Sequence, residues 1–296
     1  MLLLRKIQIM RFLYVLGILL IIGGLAYHFA ALQVFNALVP KDEGSRLVKA
    51  DVAYGMDARQ KLDVYAPAKG SGPWPVIVFV YGGSWNSGDK EPYAFVGRAL
   101  AAQGFLVVIP NYRLHPQSPF PSFIRDTAMS LDWATRYAGV YGGDQNNIFA
   151  AGHSAGAYNL AMAVLDKSYL AELNTDVSVL RGVVTLSGPF DFLPLDTKVS
   201  IDTFGAVPDL ATTQPINFVR ADVPPFLILH GSADTTVRPR NATSLFEKLK
   251  SIGADVSLKI YPDIGHVGMI TAFARPFRSR VSSLADTVAF FKARVK

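Results

Sequence analysis

Residues 152–156 read Gly-His-Ser-Ala-Gly and follow an apolar run at 148–151. The run is typical of a buried strand, and the alanine-rich stretch at 155–165 is typical of a helix. Small residues two positions on either side of a serine let the strand and the helix approach closely, and the sharp turn lifts the hydroxyl above the sheet. Ser154 is therefore the candidate nucleophile.

A serine hydroxyl needs a base, because it is a poor nucleophile near neutral pH. Histidine is the side chain that accepts and returns a proton in that range. When the nucleophile lies on such a turn, the acid and then the base follow it in the chain. Of the five histidines, only His230 and His266 come after Ser154. His230 closes an apolar run before the best acid candidate, whereas His266 lies in a glycine-flanked loop after a strand and is predicted as the base.

The acid that orients the base is expected at the end of a strand. Asp234 lies in a turn directly after the apolar run 226–229 and is the first candidate. Asp191, which follows the run 183–186, is the reserve candidate, and Asp263 is interpreted as a turn former.

Strands and helices are predicted to alternate along most of the chain. The predicted strands are 62–65, 76–80, 106–109, 148–150, 183–186, 226–229 and 256–261, and the predicted helices are 93–102, 123–137, 155–165, 241–252 and 283–293. Such alternation predicts an α/β fold with a mostly parallel sheet and helices on both faces. The site would lie at the carboxyl ends of the strands.

The chain resembles the α/β-hydrolase fold, among serine esterases and lipases related to carboxylesterases and feruloyl-esterase-like hydrolases. The likeness covers about residues 52–291 and includes the segments 62–65, 111–114 and 234–239 besides the serine turn. The loop at 81–85, Tyr-Gly-Gly-Ser-Trp, resembles the H-G-G-G loop of this group, with Tyr81 replacing the histidine and Ser84 the third glycine.

By that resemblance, the backbone N–H groups of Gly83, Ser84 and Ala155 would form the oxyanion hole. A looser segment at 192–221 predicts a small cap insertion over the site. The same topology brings Trp85, Phe190 and Val237 near the catalytic loops as candidate pocket residues.

The amino-terminal segment, residues 1–40, has a different character. Arg5, Lys6 and Arg11 precede an uncharged and mostly apolar stretch over residues 12–40. About 20 apolar residues span a bilayer, and positive charges before them hold the amino terminus in the cytoplasm. We therefore expect a transmembrane signal anchor with the catalytic domain, residues 51–296, periplasmic or extracellular. Two alternatives stay open: a cleaved signal with a secreted enzyme, and a helix packed on the domain or the membrane surface. Residues 41–50 are predicted as a linker.

Composition narrows the function classes. The net charge is +6, and residues 1–50 carry most of that excess, so the basic balance does not indicate nucleic-acid binding. The absence of cysteine excludes thiol catalysis and thiolate metal sites, and the histidines lack metal-ligand spacing. No cofactor and no metal are expected, and the oligomeric state stays open.

These residues together predict a serine hydrolase that cleaves small-molecule carboxylic esters through an acyl-enzyme intermediate. Two alternatives remain. One is an amidase, formamidase or peptidase on the same triad, and the other is a non-catalytic binding protein on a hydrolase fold.

Overall fold

A computed structural model describes residues 31–296. Residues 31–38 are helical (α1), and residues 39–296 form a separate compact unit. The predicted membrane anchor falls largely on residues 1–30, which lie outside the described residues. Within residues 31–296, every helix is too short or too polar to span a bilayer.

The compact unit is built on one eight-stranded sheet. Its strands are β1 (Ser45–Ala53), β2 (Lys61–Pro67), β3 (Trp74–Val80), β4 (Leu106–Pro110), β5 (Gly143–His153), β6 (Leu180–Leu186), β7 (Phe226–Gly231) and β8 (Val256–Tyr261). They lie in the order β1-β2-β4-β3-β5-β6-β7-β8. β2 is antiparallel to β1 and β4, and the other pairs are parallel. The predicted mostly parallel α/β sheet is confirmed.

Two central strands of this sheet, β3 and β4, are apolar along their whole length. All five residues of β4 are buried, as are the last five of β3. Continuous runs of this kind are typical of parallel strands that are covered on both faces. The sheet core therefore holds the strand ends in fixed positions.

Helices follow most strands. They are α2 (Ala94–Ala101), α3 (Ser122–Tyr137), α4 (Ala155–Leu165), α5 (Ser168–Ala171), α6 (Lys198–Phe204), α7 (Arg240–Ser251), α8 (His266–Thr271) and α9 (Ser283–Lys292). α3 and α4 pack on β5, α7 packs on β7 and β8, and α9 packs on β6 and β7. The segment 192–221, predicted as a cap insertion, contains α6 and two short 3₁₀ turns.

One predicted boundary is wrong. Residues 41–50 do not form a linker, because strand β1 begins at Ser45 and pairs with β2. β1 is an edge strand whose charged side chains, including Arg46 and Lys49, face solvent. Without a buried face it lacks the apolar alternation by which strands are recognised in a sequence.

The topology gathers several loops at one edge of the sheet. Each neighbouring pair from β3 through β5, β6 and β7 to β8 is parallel. The carboxyl ends of these strands therefore lie at the same edge of the sheet. The segments after β3, β5, β7 and β8 carry Ser84, Ser154, Asp234 and His266. In open α/β sheets this edge is where ligands bind.

Candidate active site

Ser154 lies on a strained turn between β5 and α4. Its backbone has φ +55° and ψ −125°, a conformation that a residue with a side chain rarely adopts. A Cβ on Gly156 would lie 2.2 Å from the carbonyl oxygen of Val80, and one on Gly152 would lie 2.7 Å from the oxygen of Gly156. The two glycines are therefore required by the close approach of strand and helix, which is the geometry of a nucleophile elbow.

A chain of hydrogen bonds joins the three predicted polar residues. His266 Nε2 lies 2.8 Å from Ser154 Oγ, and His266 Nδ1 lies 2.8 Å from Asp234 Oδ2. Since a carboxylate only accepts hydrogen bonds, Nδ1 carries the ring proton and donates a hydrogen bond to Asp234. Nε2 is then free to accept the proton of the serine hydroxyl. The structure thus brings Ser154, His266 and Asp234 together, and the reserve candidate Asp191 is not part of this chain.

Asp234 is buried and surrounded by donors. Its Oδ1 accepts the backbone N–H groups of Thr236 and Val237 at 3.0 and 2.9 Å. Burial alone would raise the pKa of Asp234, but hydrogen bonds from His230 and His266 outweigh it and hold the pKa well below its usual range. The carboxylate therefore stays ionised beside His266 at neutral pH.

His230 belongs to this site, although the sequence analysis set it aside. Its Nε2 donates to the carbonyl oxygen of Val237 at 2.8 Å and lies 3.3 Å from Asp234 Oδ2. The signal that could have revealed it is its place four residues before Asp234, at the end of the same strand. His230 contacts Asp234 and holds the loop that follows it.

A third imidazole lies against His266. His153 is buried, its ring centroid is 4.9 Å from that of His266, and its Nε2 donates to the His266 carbonyl oxygen at 3.3 Å. Burial lowers the pKa of His153 to about 3, and the neighbouring His266 adds to the effect. His153 is therefore neutral at physiological pH and holds the backbone of His266.

The glycine loop after β3 has an unusual backbone. Gly83, Ser84 and Trp85 have φ values of +153°, +53° and +59°. A Cβ on Gly83 would lie 2.1 Å from the carbonyl oxygen of Ser87, so this position excludes any side chain. In the described part of the chain, the N–H groups of Gly83 and Ser84 make no hydrogen bond. Ala155 is the first residue of α4, so its N–H has no partner within the helix.

Polar side chains hold this loop from behind, and two of them, Tyr81 and Asn111, are buried. Arg59 donates to the Tyr81 hydroxyl at 3.0 Å and to the Gly88 carbonyl oxygen at 2.9 Å. The Tyr81 hydroxyl in turn donates to Asn111 Oδ1 at 2.8 Å. Asn111 also accepts the backbone N–H of Lys90 at 2.8 Å. Sequence reasoning missed the role of Arg59, because nothing local in the sequence links it to a loop more than 20 residues away.

A cavity of about 250 Å³ opens beside Ser154. Ser84 and Ala155 line it together with Ser154, and so do Trp85 and Val237 from the predicted pocket set. Phe190 does not line this cavity, which corrects the prediction made for it. It is fully buried against Gly188, and the next phenylalanine, Phe192, forms the wall instead.

The remaining acidic candidate, Asp263, has a structural position. It has φ +58° in a tight turn, as predicted for a turn former.

Across residues 31–296, no group of three or more histidine and acidic side chains is placed to hold a metal ion.

A family model named BD-FAE matches residues 62–249, which is more than half of the chain. The chain belongs to the BD-FAE family. The match includes Ser154 and Asp234 and ends before His266. This match confirms the resemblance to α/β-hydrolase esterases that the sequence motifs indicate.

Curated relatives carry esterase names. Esterase LipC of Mycobacterium tuberculosis (strain ATCC 25618 / H37Rv) is 35% identical over 240 residues, which cover 73% of this chain and 58% of LipC. Isoprenylcysteine alpha-carbonyl methylesterase ICME of Arabidopsis thaliana is 26% identical over 267 residues, or 82% of this chain and 62% of ICME. The chain thus spans about three fifths of the length of these relatives.

Solved structures share the fold of this BD-FAE member. Esterase B from Lactobacillus rhamnosis superposes with a TM-score of 0.79 at 21% identity, covering 92% of this chain and 94% of that one. The α/β-hydrolase fold predicted from the sequence is confirmed.

Proposed function

We propose that this protein is a carboxylic ester hydrolase in which Ser154 is the nucleophile, His266 the general base and Asp234 the orienting acid. The observation that carries the proposal is the continuous hydrogen-bond chain from Asp234 through His266 to Ser154, with both links at 2.8 Å. The esterase names of the relatives support the choice of ester over amide substrates.

In the acylation step, His266 Nε2 takes the proton of Ser154 as Oγ attacks the ester carbonyl carbon. The free N–H groups of Gly83, Ser84 and Ala155 donate to the oxyanion that forms, and each such donor contributes about 3 kcal/mol to the transition state. His266 then gives the proton to the leaving alcohol oxygen, and the acyl group stays on Ser154.

In the deacylation step, His266 takes a proton from water while the water oxygen attacks the acyl carbon. The carboxylic acid leaves and the proton returns to Ser154. Through both steps the ionised Asp234 keeps the proton of His266 on Nδ1 and stabilises the imidazolium. All proton transfers in this scheme use side chains of the chain itself, so no cofactor enters the mechanism.

The cavity beside Ser154 receives the ester. Trp85, Phe192 and Val237 give it an apolar wall, which suits an acyl chain.

We further propose that residues 1–40 anchor the enzyme in a membrane with its catalytic domain outside the cytoplasm. This rests on the apolar stretch after Arg11 alone. Fractionation of the native host, followed by protease treatment of intact cells, tests it. Recovery of the protein in the soluble cytoplasmic fraction would contradict the proposal.

The experiment that tests the activity is hydrolysis of p-nitrophenyl esters from acetate to long acyl chains. The 296-residue chain is compared with Ser154→Ala and with Ser251→Ala, a change of an exposed serine at the end of α7. We expect turnover by the parent and by Ser251→Ala, and none above background by Ser154→Ala. Equal turnover by Ser154→Ala, or hydrolysis of amides but no ester, would contradict the proposal.

A further inference from the structure

The cavity beside Ser154 is lined by two chemically different sets of residues. Trp85, Phe192 and Val237 are apolar, and three other lining residues are charged. Arg238 lies in the turn before α7, and Arg240 is the first residue of that helix. Asp196 lies in the segment before α6. The lining therefore has one more positive than negative charge.

The two guanidinium groups lack strong partners in the structure. Arg238 Nη2 lies 3.9 Å from Asp196 Oδ2, a distance too long for a hydrogen bond. Within residues 31–296, the Arg240 side chain makes no hydrogen bond, ion pair or ring contact, and it is exposed. By contrast, Arg113 in the same domain holds Asp126 at 2.7 Å. Arg240 is thus free to bind an anionic ligand, and Arg238 is held only by the long ion pair with Asp196.

The backbone that carries these arginines is fixed to the triad. Asp234 binds the N–H of Val237, and His230 binds the carbonyl oxygen of Val237. The buried Asn241 donates to the Arg238 carbonyl oxygen at 3.2 Å and accepts the N–H of Phe190 at 2.9 Å. The backbone at Val237 and Arg238 is therefore held at a fixed position relative to Asp234.

We propose that the physiological ester carries a carboxylate, which Arg238 and Arg240 bind while Ser154 attacks the ester carbonyl carbon. The inference rests on the proposed function and adds its substrate class. A guanidinium offers a planar pair of donors that fits a carboxylate. The carboxylate takes no part in bond making: the ester is hydrolysed to an alcohol and a dicarboxylic acid, with one water consumed.

The test compares monomethyl adipate with methyl hexanoate, which has the same chain length and a methyl group in place of the free carboxylate. Acid release is followed for the 296-residue chain, Arg238→Gln, Arg240→Gln and the double variant. Arg125→Gln is the matched control, because Arg125 is an exposed arginine on α3 that pairs with Glu172 outside the cavity. Adipate and hexanoate are also compared as inhibitors of p-nitrophenyl acetate hydrolysis.

We expect kcat/KM for monomethyl adipate to exceed that for methyl hexanoate by about tenfold, and the double variant to lose that advantage. Arg125→Gln should leave hydrolysis of both esters within about twofold of the parent. The loss in the double variant should be larger for monomethyl adipate than for methyl hexanoate. Added salt should raise KM for the anionic ester alone, since exposed charges are screened. Adipate should inhibit the parent more strongly than hexanoate.

Two results would overturn the inference. One is equal or better hydrolysis of methyl hexanoate by the parent, and the other is an unchanged preference in the double variant. Failure of the proposed function looks different, because the parent would then hydrolyse neither ester nor p-nitrophenyl acetate, and the inference would fall with it.

Discussion

At the scale of single residues, two imidazoles contact the Asp234 carboxylate and a third packs on one of them. His266 links Asp234 to Ser154, His230 contacts Asp234 Oδ2 from the strand end, and His153 holds the His266 backbone. Only His266 reaches the serine hydroxyl. The assignment of roles therefore follows from contact, and each role can be tested by changing one side chain.

Changing Asp234 to asparagine should nearly abolish ester hydrolysis. An amide NH₂ facing His266 Nδ1 would favour the tautomer that carries its proton on Nε2, and such a His266 cannot accept the serine proton. We expect kcat to fall about 10⁴-fold, with KM much less affected. Steady-state kinetics on p-nitrophenyl acetate measures both.

Asp191→Asn is the matched control for this change. Asp191 is the other carboxylate that the sequence leaves open, and it lies outside the hydrogen-bond chain. It should retain nearly full activity. The reverse pattern, with Asp234→Asn active and Asp191→Asn inactive, would move the acid to Asp191.

His230 should affect the site through Asp234 and the loop that follows it. His230→Leu removes the donor to Val237 and the contact with Asp234, so we expect kcat to fall roughly tenfold with little change in KM. His230→Gln keeps an N–H donor and should recover part of the loss. A fall in folded yield with unchanged kcat per folded molecule would assign His230 a purely structural role.

At the scale of elements, the loop from Gly82 to Lys90 positions the two N–H groups, of Gly83 and Ser84, that we propose as oxyanion donors. Arg59, Tyr81 and Asn111 fix it from behind, and Trp85 donates to Asn159 on α4 at 3.0 Å. Its shape depends on a run of positive φ angles that only glycine adopts without cost. We therefore expect substitutions at different positions of this loop to differ widely in their effect on activity.

Gly83→Ala and Ser84→Gly should have opposite outcomes. The alanine Cβ would collide with the Ser87 carbonyl oxygen and displace the donors, so we expect kcat to fall by about 10²-fold or more. Glycine adopts the φ of +53° at position 84 without strain, so Ser84→Gly should keep activity within about threefold. Kinetics and thermal unfolding of the two variants test this, and a larger loss in Ser84→Gly than in Gly83→Ala would contradict it.

At the scale of the whole molecule, a buried neutral histidine makes the folding equilibrium depend on pH. The pKa of His153 is about 3 in the folded chain, against an ordinary value of about 6.5 when the chain is unfolded. Between these values the unfolded chain binds a proton that the folded chain does not, so stability falls as the pH decreases through this window.

Replacing His153 by glutamine should remove this dependence. We expect the stability advantage of the parent over His153→Gln to shrink by about 2.5 kcal/mol between about pH 7 and pH 4.5. Urea unfolding of both proteins at the two pH values measures the difference. An advantage that is the same at both values would mean that His153 is not kept neutral by burial.

Much of this molecule could be predicted from the sequence, because its signals are local. The runs in β3, β4 and β7 are continuously apolar. Gly152 and Gly156 lie two positions on either side of Ser154, which is the spacing that a nucleophile elbow requires. The edge strand β1 was missed since its side chains face solvent, and Phe190 was misplaced since nothing in the sequence distinguishes it from Phe192. The contacts of Arg59 and His230 depend on chain segments that meet only after folding.

The most direct test of the central claim is covalent labelling of the 296-residue chain with diethyl p-nitrophenyl phosphate, a stable mimic of the acylation step. Intact-mass measurement and peptide mapping then locate the diethylphosphoryl group. We predict one group per chain on Ser154, release of one equivalent of p-nitrophenol, and no label in Ser154→Ala. No label on the parent, or a label on another residue that persists in Ser154→Ala, would contradict the claim that Ser154 is the nucleophile.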